Sequence, residues 1–343
     1  TYGGLPWTNQ NMSLERRRAK LQANWQFSNV YRGSFGLDVE DYDRGNFTPT
    51  AAVFGISALR QKTSETTWSA ALRRRLTEDM SGAVTLSSAK RDGSVWLRPL
   101  GGATGVVPVD DPSTGFAPSA LFMPTLADRT RDKLRLSADW QGDDKLSMQF
   151  NVDVGQDAFH ASSNYGLKST RMNTFGVDMN YAYSYAWNWT GFVSTGSQTL
   201  NQAWSEGKYM AFSNTHTTFG LGFTGKFKSP WRLGGMLTYT HEKDVYQQTL
   251  DGFASNYDIA TLAASGGLPD ITYRQAQLKL FANYEIDKRA AIRVDWVYLT
   301  SHVNDWAWGY GGVPFTYSDG TTLLQKPKQS ASFIGVMYVH KWK

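Results

Sequence analysis

The sequence predicts an all-β fold, a transmembrane antiparallel up-and-down β-barrel with about thirteen strands in this chain. Three observations predict it. Polar and apolar residues alternate strictly, best at Leu146, Met148, Phe150, Val152 and Val154 against Lys145, Ser147, Gln149, Asn151 and Asp153. Successive strand side chains point to opposite faces, so such a segment has one oily and one wet side. The connections between these segments are short and long by turns, and aromatic residues flank most of the short ones. Lipid on one face, water on the other and amphipathic rings at headgroup level produce that combination.

The elements follow in order. The strand at 13–27 turns Ala19, Leu21, Ala23, Trp25 and Phe27 to lipid and Arg16, Arg18, Lys20, Gln22, Asn24 and Gln26 inward. Ser28–Asn29 turns the chain into 30–44, and the long connection 45–63 leads to 64–76. Thr77–Asp79 turns into 80–95, and the long connection 96–129 leads to 130–141. Gln141–Asp144 turns into 145–159, and 160–168 leads to 169–184, where Phe175, Val177, Met179, Tyr181 and Tyr183 oppose Thr174, Asp178 and Asn180. Ser184–Ala186 turns into 186–200, and a long loop is expected over 201–212. In 213–227, Phe219, Leu221, Phe223 and Phe227 oppose Gly220, Gly222, Thr224 and Lys226. Lys228–Pro230 turns into 231–247, and 248–270 leads to 271–285, with Ala276, Leu278, Leu280 and Tyr284 against Gln275, Gln277, Lys279 and Asn283. Ile286–Arg289 turns into 290–303, and 304–328 leads to the last strand, 329–343. Trp25, Phe27, Trp140, Tyr183, Trp187, Phe227, Trp231, Tyr284 and Trp342 gather at the short-turn side as an aromatic girdle. Barrels of the outer membrane put short turns in the periplasm and long loops outside.

Composition agrees. Charged residues are 19% of the 343, below the roughly 25% of soluble domains, and aromatics are 14% with 13 tryptophans. No apolar run approaches the ~18–20 residues of a spanning helix, which excludes a helical membrane protein. With no cysteine, the chain can form no disulfide, thiolate metal site or C-x-x-C-H haem attachment. The net charge of +5 is modest, and basic residues stand singly at alternate strand positions, which argues against a nucleic-acid partner. Thr1 is not a start residue and no signal-peptide core follows it, so a signal has been removed or the chain is part of a longer one.

Strand parity and bore size extend this reading. Single-chain bacterial barrels have even strand numbers, and thirteen strands ending in the periplasm would begin outside the cell. Residues 1–343 therefore read as the C-terminal portion of a single outer-membrane β-barrel domain. Strands ~4.8 Å apart and tilted about 40° give thirteen of them a radius of roughly 13 Å. The inward face carries Arg16, Arg18, Asp38, Glu40, Arg73, Arg75, Lys133, Arg135, Asp139, Asp153, Lys279, Arg293 and Asp295. Doubling the strands would double the radius, enough to admit a small folded protein.

The last strand places Ile334, Val336, Tyr338, His340 and Trp342 on one face. It resembles the closing strand of bacterial outer-membrane barrels, with Gly335 and Tyr338 as in their assembly signal, but ends on Lys343 where an aromatic is usual. More specific are Ser87-Ser-Ala-Lys-Arg-Asp-Gly-Ser94, Leu126-Ala-Asp-Arg-Thr-Arg-Asp-Lys133 with Leu134-Arg-Leu-Ser-Ala-Asp-Trp140, Tyr165-Gly-Leu and Thr170-Arg-Met. Together they resemble the MtrB/PioB family of decahaem-associated outer-membrane proteins, over most of the chain and most strongly from about 64 to 200. The resemblance implies a barrel that houses a periplasmic multihaem c-type cytochrome. Haem c would be carried by that partner and none by this chain, and electrons would pass to or from an extracellular partner, which can itself be a multihaem cytochrome.

Other patterns are weighed against plainer readings. Gly220-x-Gly222-x-x-Gly225 has the letters of a dinucleotide fingerprint but lies inside a strand with Ser229-Pro-Trp after it, so small residues that give a bulky plug room, or plain strand glycines, are the better readings. The histidines His160, His216, His241, His302 and His340 lack metal-ligand spacing and read mostly as loop or girdle residues, the lesser alternative being a lumen histidine that faces a haem, with no position standing out. Arg16, Arg18, Arg73 and Arg75 either pair with wall carboxylates such as Asp38, Glu40 and Asp139 or dock the acidic propionates of a guest's haems. Phe116–Pro124 folds into the bore, receives an outer partner or is mobile. Asn304–Gly312 is an outer girdle by default, with a partner or glycan surface as the alternative, and Asp110-Asp111 and Asp41/Asp43 fit no calcium-loop pattern. No catalytic, cofactor or metal site emerges, and the chain reads as no enzyme. The leading function is a sheath for a multihaem cytochrome in transmembrane electron transfer; the alternative is a porin or substrate channel, and an outer-membrane hydrolase lacks a nucleophile–base constellation.

Overall fold

The computed structural model describes residues 13–45, 60–99, 106–109, 123–160, 166–205, 207–228, 230–305, 309–310, 313–323 and 326–342. Thirteen segments with two-residue alternation form thirteen strands of one antiparallel sheet, each paired with its neighbour in the chain. They are β1 (Glu15–Gln26), β2 (Tyr31–Asp43), β3 (Lys62–Arg75), β4 (Met80–Gly93), β5 (Arg129–Gln141), β6 (Leu146–Phe159) and β7 (Gly166–Tyr181). There follow β8 (Trp187–Ser205), β9 (Lys208–Lys228), β10 (Trp231–Leu250), β11 (Ile271–Glu285), β12 (Ala290–Asn304) and β13 (Lys328–His340). All thirteen stand where the alternation places them. Among the described residues the sheet does not close, and β1 and β13 are its two unpaired edges. No helix among the described residues is long and apolar enough to cross a membrane.

The short turns share a device. Asp143 Oδ1 accepts from the backbone N–H of Lys145 and Leu146, both at 2.7 Å, and Asp287 Oδ1 accepts from Arg289 and Ala290 at 2.6 and 2.8 Å. Ser28 and Ser184 hydroxyls do the same for the amides that follow them. A side chain that satisfies its own turn's donors lets the chain reverse in few residues.

The register brings apolar residues face to face from edge to edge. Leu21 stands opposite Leu37, Leu86 opposite Leu134, Phe150 opposite Val177, Leu237 opposite Leu278 and Val294 opposite Val336. Many side chains of this band are exposed, and toward the long-loop end the polar face is the sheltered one. Leu86 and Val154 are 56% and 46% exposed, whereas Arg91 and Asp157 are each 8% exposed. A water-soluble sheet would have the opposite arrangement, so the oily face meets lipid and the polar face lines the interior. Trp231 and Tyr284 mark the girdle at the short-turn end, their rings 4.8 Å apart.

One expectation is corrected. Residues 201–212 are not a long loop, because β8 and β9 run on through Ser205 and from Lys208, turning through Gly207 at φ +70°. Strands β8, β9 and β10 are 19, 21 and 20 residues long, about twice the ~9–11 needed to span a bilayer. Leu200 stands opposite Phe212, Phe212 packs on Tyr246 with centroids 5.0 Å apart, and Ala203 and Met210 are buried. The polar letters between them conceal this ladder, whose hydrogen-bond partners come from neighbouring strands.

The connection expected over 248–270 also holds a helix, α1 (Asn256–Ser265). Ser255 caps it by accepting from the Asp258 N–H at 3.1 Å, and Gly266 ends it in the left-handed conformation. Lys208 Nζ reaches Asp258 Oδ1 at 2.7 Å and ties the helix to the β9 tip. Small antiparallel pieces, Trp96–Pro99 with Val106–Val109 and Gly309–Tyr310 with Val313–Thr316 and Thr322–Leu323, lie in the other long connections.

Candidate functional site

The candidate site is the inner wall. Its charges largely neutralise one another across strands. Arg18 Nε donates to Asp38 at 2.9 Å, Arg16 pairs with Glu40, Arg73 with Asp139 at 2.7 Å and Arg135 with Asp153, directly opposite, at 2.6 Å. Arg293 and Asp295 pair along β12 at 2.7 Å. Of the four arginines weighed for docking, three are thus engaged within the wall. Arg75 is not, and Lys20, Lys133 and Lys279 likewise make no ion pair among the described residues. Lys133 stands opposite Gly155, which offers no side chain. Arg75 borders a recess of about 670 Å³ near the short-turn end, with Asp139, Gln149, Asp178, Asn180 and Thr190.

The wall changes character along the sheet. Through mid-β8 and mid-β9 the inner face is small, hydroxylic or aromatic, at Thr190, Phe192, Ser194 and Gly196 and at Thr218, Gly220, Gly222 and Thr224. The Phe192 ring lies over Gly220 and the Phe281 ring over Gly234, each so close that a Cβ on the glycine would collide with it. His216 stands on this face, opposite Gly196 and Glu242.

At the long-loop end the wall buries a charge cluster that the sequence reading missed. The six buried polar or charged residues among those described are Arg60, Thr63, Arg91, Arg129, Asp157 and Thr170. Arg129 donates to Glu65 at 2.8 Å and to Asp157 at 3.3 Å. Arg131 forks onto Asp157 at 2.5 and 2.6 Å. Arg60 forks onto Asp128 at 2.7 and 2.9 Å, donates to the Leu126 and Ser94 carbonyls, and stacks on Trp96. Arg91 donates to the carbonyls of Ala127 and Pro124. Since the Arg91 side chain stands on the inner face, these bonds hold segment 124–127 over the interior. Guanidinium groups suit the task because five fixed donors can satisfy carboxylates and loop carbonyls at once. The available signal was three arginines in two neighbouring motifs, Arg91, Arg129 and Arg131, together with Asp157 at matching parity.

The remaining candidates separate. Gly220, Gly222 and Gly225 all lie within β9, and the next element is β10 rather than a helix. His160 Nε2 is 2.8 Å from the Thr130 hydroxyl, and His340 packs between Tyr338 and Trp342 in the girdle. His241 and His302 stand on the lipid-facing side. No group of three or more His, Asp or Glu placed to hold a metal ion occurs among the described residues. Asp43 pairs with Lys62 at 3.4 Å. Asp110-Asp111, all of 116–122 and most of 304–312 lie outside the described residues.

The stretches that carry the family resemblance converge on the buried cluster. Arg91 of the first stands opposite Arg129 of the second, Asp157 stands opposite Thr170, and Leu126 and Leu167 of the same stretches are also buried. Residues 4–342 match the model of the family described as "Putative outer membrane beta-barrel porin, MtrB/PioB". No curated protein matches the chain. Among solved structures it is similar to the ferric yersiniabactin uptake receptor FyuA from Yersinia pestis, with 10% identity over 84% of this chain and 52% of that one and a TM-score of 0.45. It is also similar to the outer membrane transporter YddB from Escherichia coli, with 10% identity over 95% and 52% and a TM-score of 0.39. The chain thus spans about half the length of either. Porins are not a class of enzyme, and the chain belongs to the MtrB/PioB family of outer-membrane β-barrel porins.

Proposed function

We propose that this chain forms part of the wall of a wide barrel that sheathes a periplasmic multihaem c-type cytochrome and supports electron transfer across the outer membrane. The observation that carries the reading is the open sheet: thirteen strands leave both edges unpaired. Edges left open in lipid are not tolerated, so further strands complete the barrel, and the bore exceeds the ~13 Å radius that thirteen would enclose. The chain is then the C-terminal portion of that one barrel domain. A wall whose arginines are already paired suits a protein guest, because packing against it strands few charges. Arg75, Lys20, Lys133 and Lys279 remain for acidic haem propionates. The chain carries no cysteine for haem c and performs no chemistry itself; the guest carries the electrons, to or from an outer partner that can be a second multihaem cytochrome.

Proteoliposomes enclosing a redox dye test this reading. The dye should bleach under an external reductant only when barrel and cytochrome are both present, and equal bleaching with the cytochrome alone would refute the sheath. A diffusion porin is the second reading, favoured by the family's description. It requires small solutes to leak through the assembled complex, whereas a plugged bore excludes them.

A further inference from the structure

On the lipid-facing side of β10–β13, one row of the sheet carries four basic residues in succession. His241 stands opposite Arg274, Arg274 opposite His302 and His302 opposite Lys328. Their parity is that of Leu237, Leu278, Tyr298 and Ile334, the oily face. Directly opposed side chains have Cβ atoms about 4.5–5.5 Å apart, so two imidazoles alternate with the cations Arg274 and Lys328 along the row. None of the four makes an ion pair with a carboxylate among the described residues. Other lysines on the same face do, Lys62 with Asp43 at 3.4 Å, Lys90 with Asp92 at 3.1 Å and Lys243 with Asp270 at 2.6 Å.

The row's height is informative. From Tyr284 in the girdle to Arg274 is ten residues along β11, and Trp231 to His241 is ten along β10. At ~3.4 Å per residue and a tilt of about 40°, that is roughly 26 Å along the membrane normal. The apolar band of such barrels is about 25 Å tall. His241 and Arg274 therefore lie at the opposite interface, on the long-loop side where lipid headgroups begin, and the strand tilt, which inclines the row, carries His302 and Lys328 further outward.

Beside it the sheet is shaped and polar. A recess of about 370 Å³ runs from His241 across Thr217, Thr215, Thr195, Ser197 and Asn173 on the same face, with Phe175 and Val152 below. The Thr195 and Thr217 hydroxyls lie 2.9 Å apart, and Ser197 Oγ donates to Asn173 at 3.2 Å. Hydroxyl and amide groups facing outward at this level have use for a headgroup and none for an acyl chain.

We infer that this row and recess bind a phosphorylated glycolipid of the outer leaflet. Its phosphates lie against His241, Arg274, His302 and Lys328, its sugar lies in the hydroxyl-lined recess and its acyl chains descend over the apolar band. An anionic headgroup supplies the counter-charge that the sheet omits, as for other basic clusters at membrane surfaces. The inference requires only the barrel's place in the outer membrane, whatever fills the bore.

The test uses the protein purified from outer membranes into neutral detergent and offered diphosphorylated lipid A, dephosphorylated lipid A or inorganic phosphate. Bound lipid is counted by native mass spectrometry, and the unfolding temperature is read in parallel. Several-fold greater retention of the phosphorylated lipid is expected, falling with added salt. Replacing His241, Arg274, His302 and Lys328 together by Gln should reduce retention to that of the dephosphorylated lipid, while Lys62→Gln with Lys90→Gln should leave it unchanged. Equal retention of the two lipids by the unmodified protein overturns the inference, whether or not the fourfold variant folds. Undiminished retention in a folded fourfold variant does so too. Stabilisation by inorganic phosphate equal to that by lipid would mark a free-anion site and overturn the lipid assignment.

Discussion

Arg91 and Arg129 stand directly opposite each other on β4 and β5, and one carboxylate, Glu65 on β3, serves both. Glu65 Oε2 lies 2.8 Å from Arg129 Nη2 and 3.8 Å from Arg91 Nη1. Two cations opposed on a sheet repel, and burial removes the water that would screen them. The arrangement stands because Glu65, Asp157 and the carbonyls of 124–127 surround the guanidinium groups with acceptors.

Glu65→Gln should therefore cost about 3 kcal/mol, the low end for removing one partner of a buried pair, since Glu65 keeps some solvent contact. Urea unfolding in micelles measures it. Hydrogen exchange should also rise at 124–128, because Arg91 and Arg129 then compete for fewer acceptors.

Facing predicts a contrast between neighbours. Arginine at Phe150, on the lipid face near mid-strand, should cost about 2–4 kcal/mol, while arginine at Gln149, on the polar face, should cost little. Equal folding yields for the two variants would mean that the faces are assigned wrongly.

The Phe192 ring occupies the space above Gly220. Gly220→Ala should destabilise by roughly 1–3 kcal/mol through overpacking. The pair Gly220→Ala with Phe192→Ala should cost less than the sum of the two single changes, because removing the ring removes the clash. A double-mutant cycle reads the coupling.

Helix α1 should undock in acid. The Lys208 ammonium and the Ser255 hydroxyl hold the Asp258 carboxyl below the usual carboxylate range. A lowered folded value means that the contact contributes fully above the unfolded carboxylate's pKa and is lost as pH falls through the lowered one. Hydrogen-exchange protection at 256–265, taken relative to the intrinsic rate at each pH, should fall on acidification in the native chain, and Lys208→Met should remove most of that dependence.

Much of this protein was determined by the sequence alone. Alternation is a local property, so Leu146 to Val154 reveal a strand and its faces without reference to any neighbour, and so do the other twelve strands. The girdle follows because Trp231 and Tyr284 sit beside turns that their own residues define. The helix was legible too, in Ser255-x-x-Asp258 with Gly266 beyond, though overlooked inside a long connection. What only the tertiary structure decided is register and what register brings together. Arg91 and Arg129 are joined across a connection of more than thirty residues, and His241, Arg274, His302 and Lys328 become one row only through three successive pairings. The strand character of 201–205 and 208–212 likewise depends on partners supplied by β7 and β10. The physical reason is that a strand's faces are set within its own chain, whereas its hydrogen bonds and its charge partners belong to the neighbouring strands.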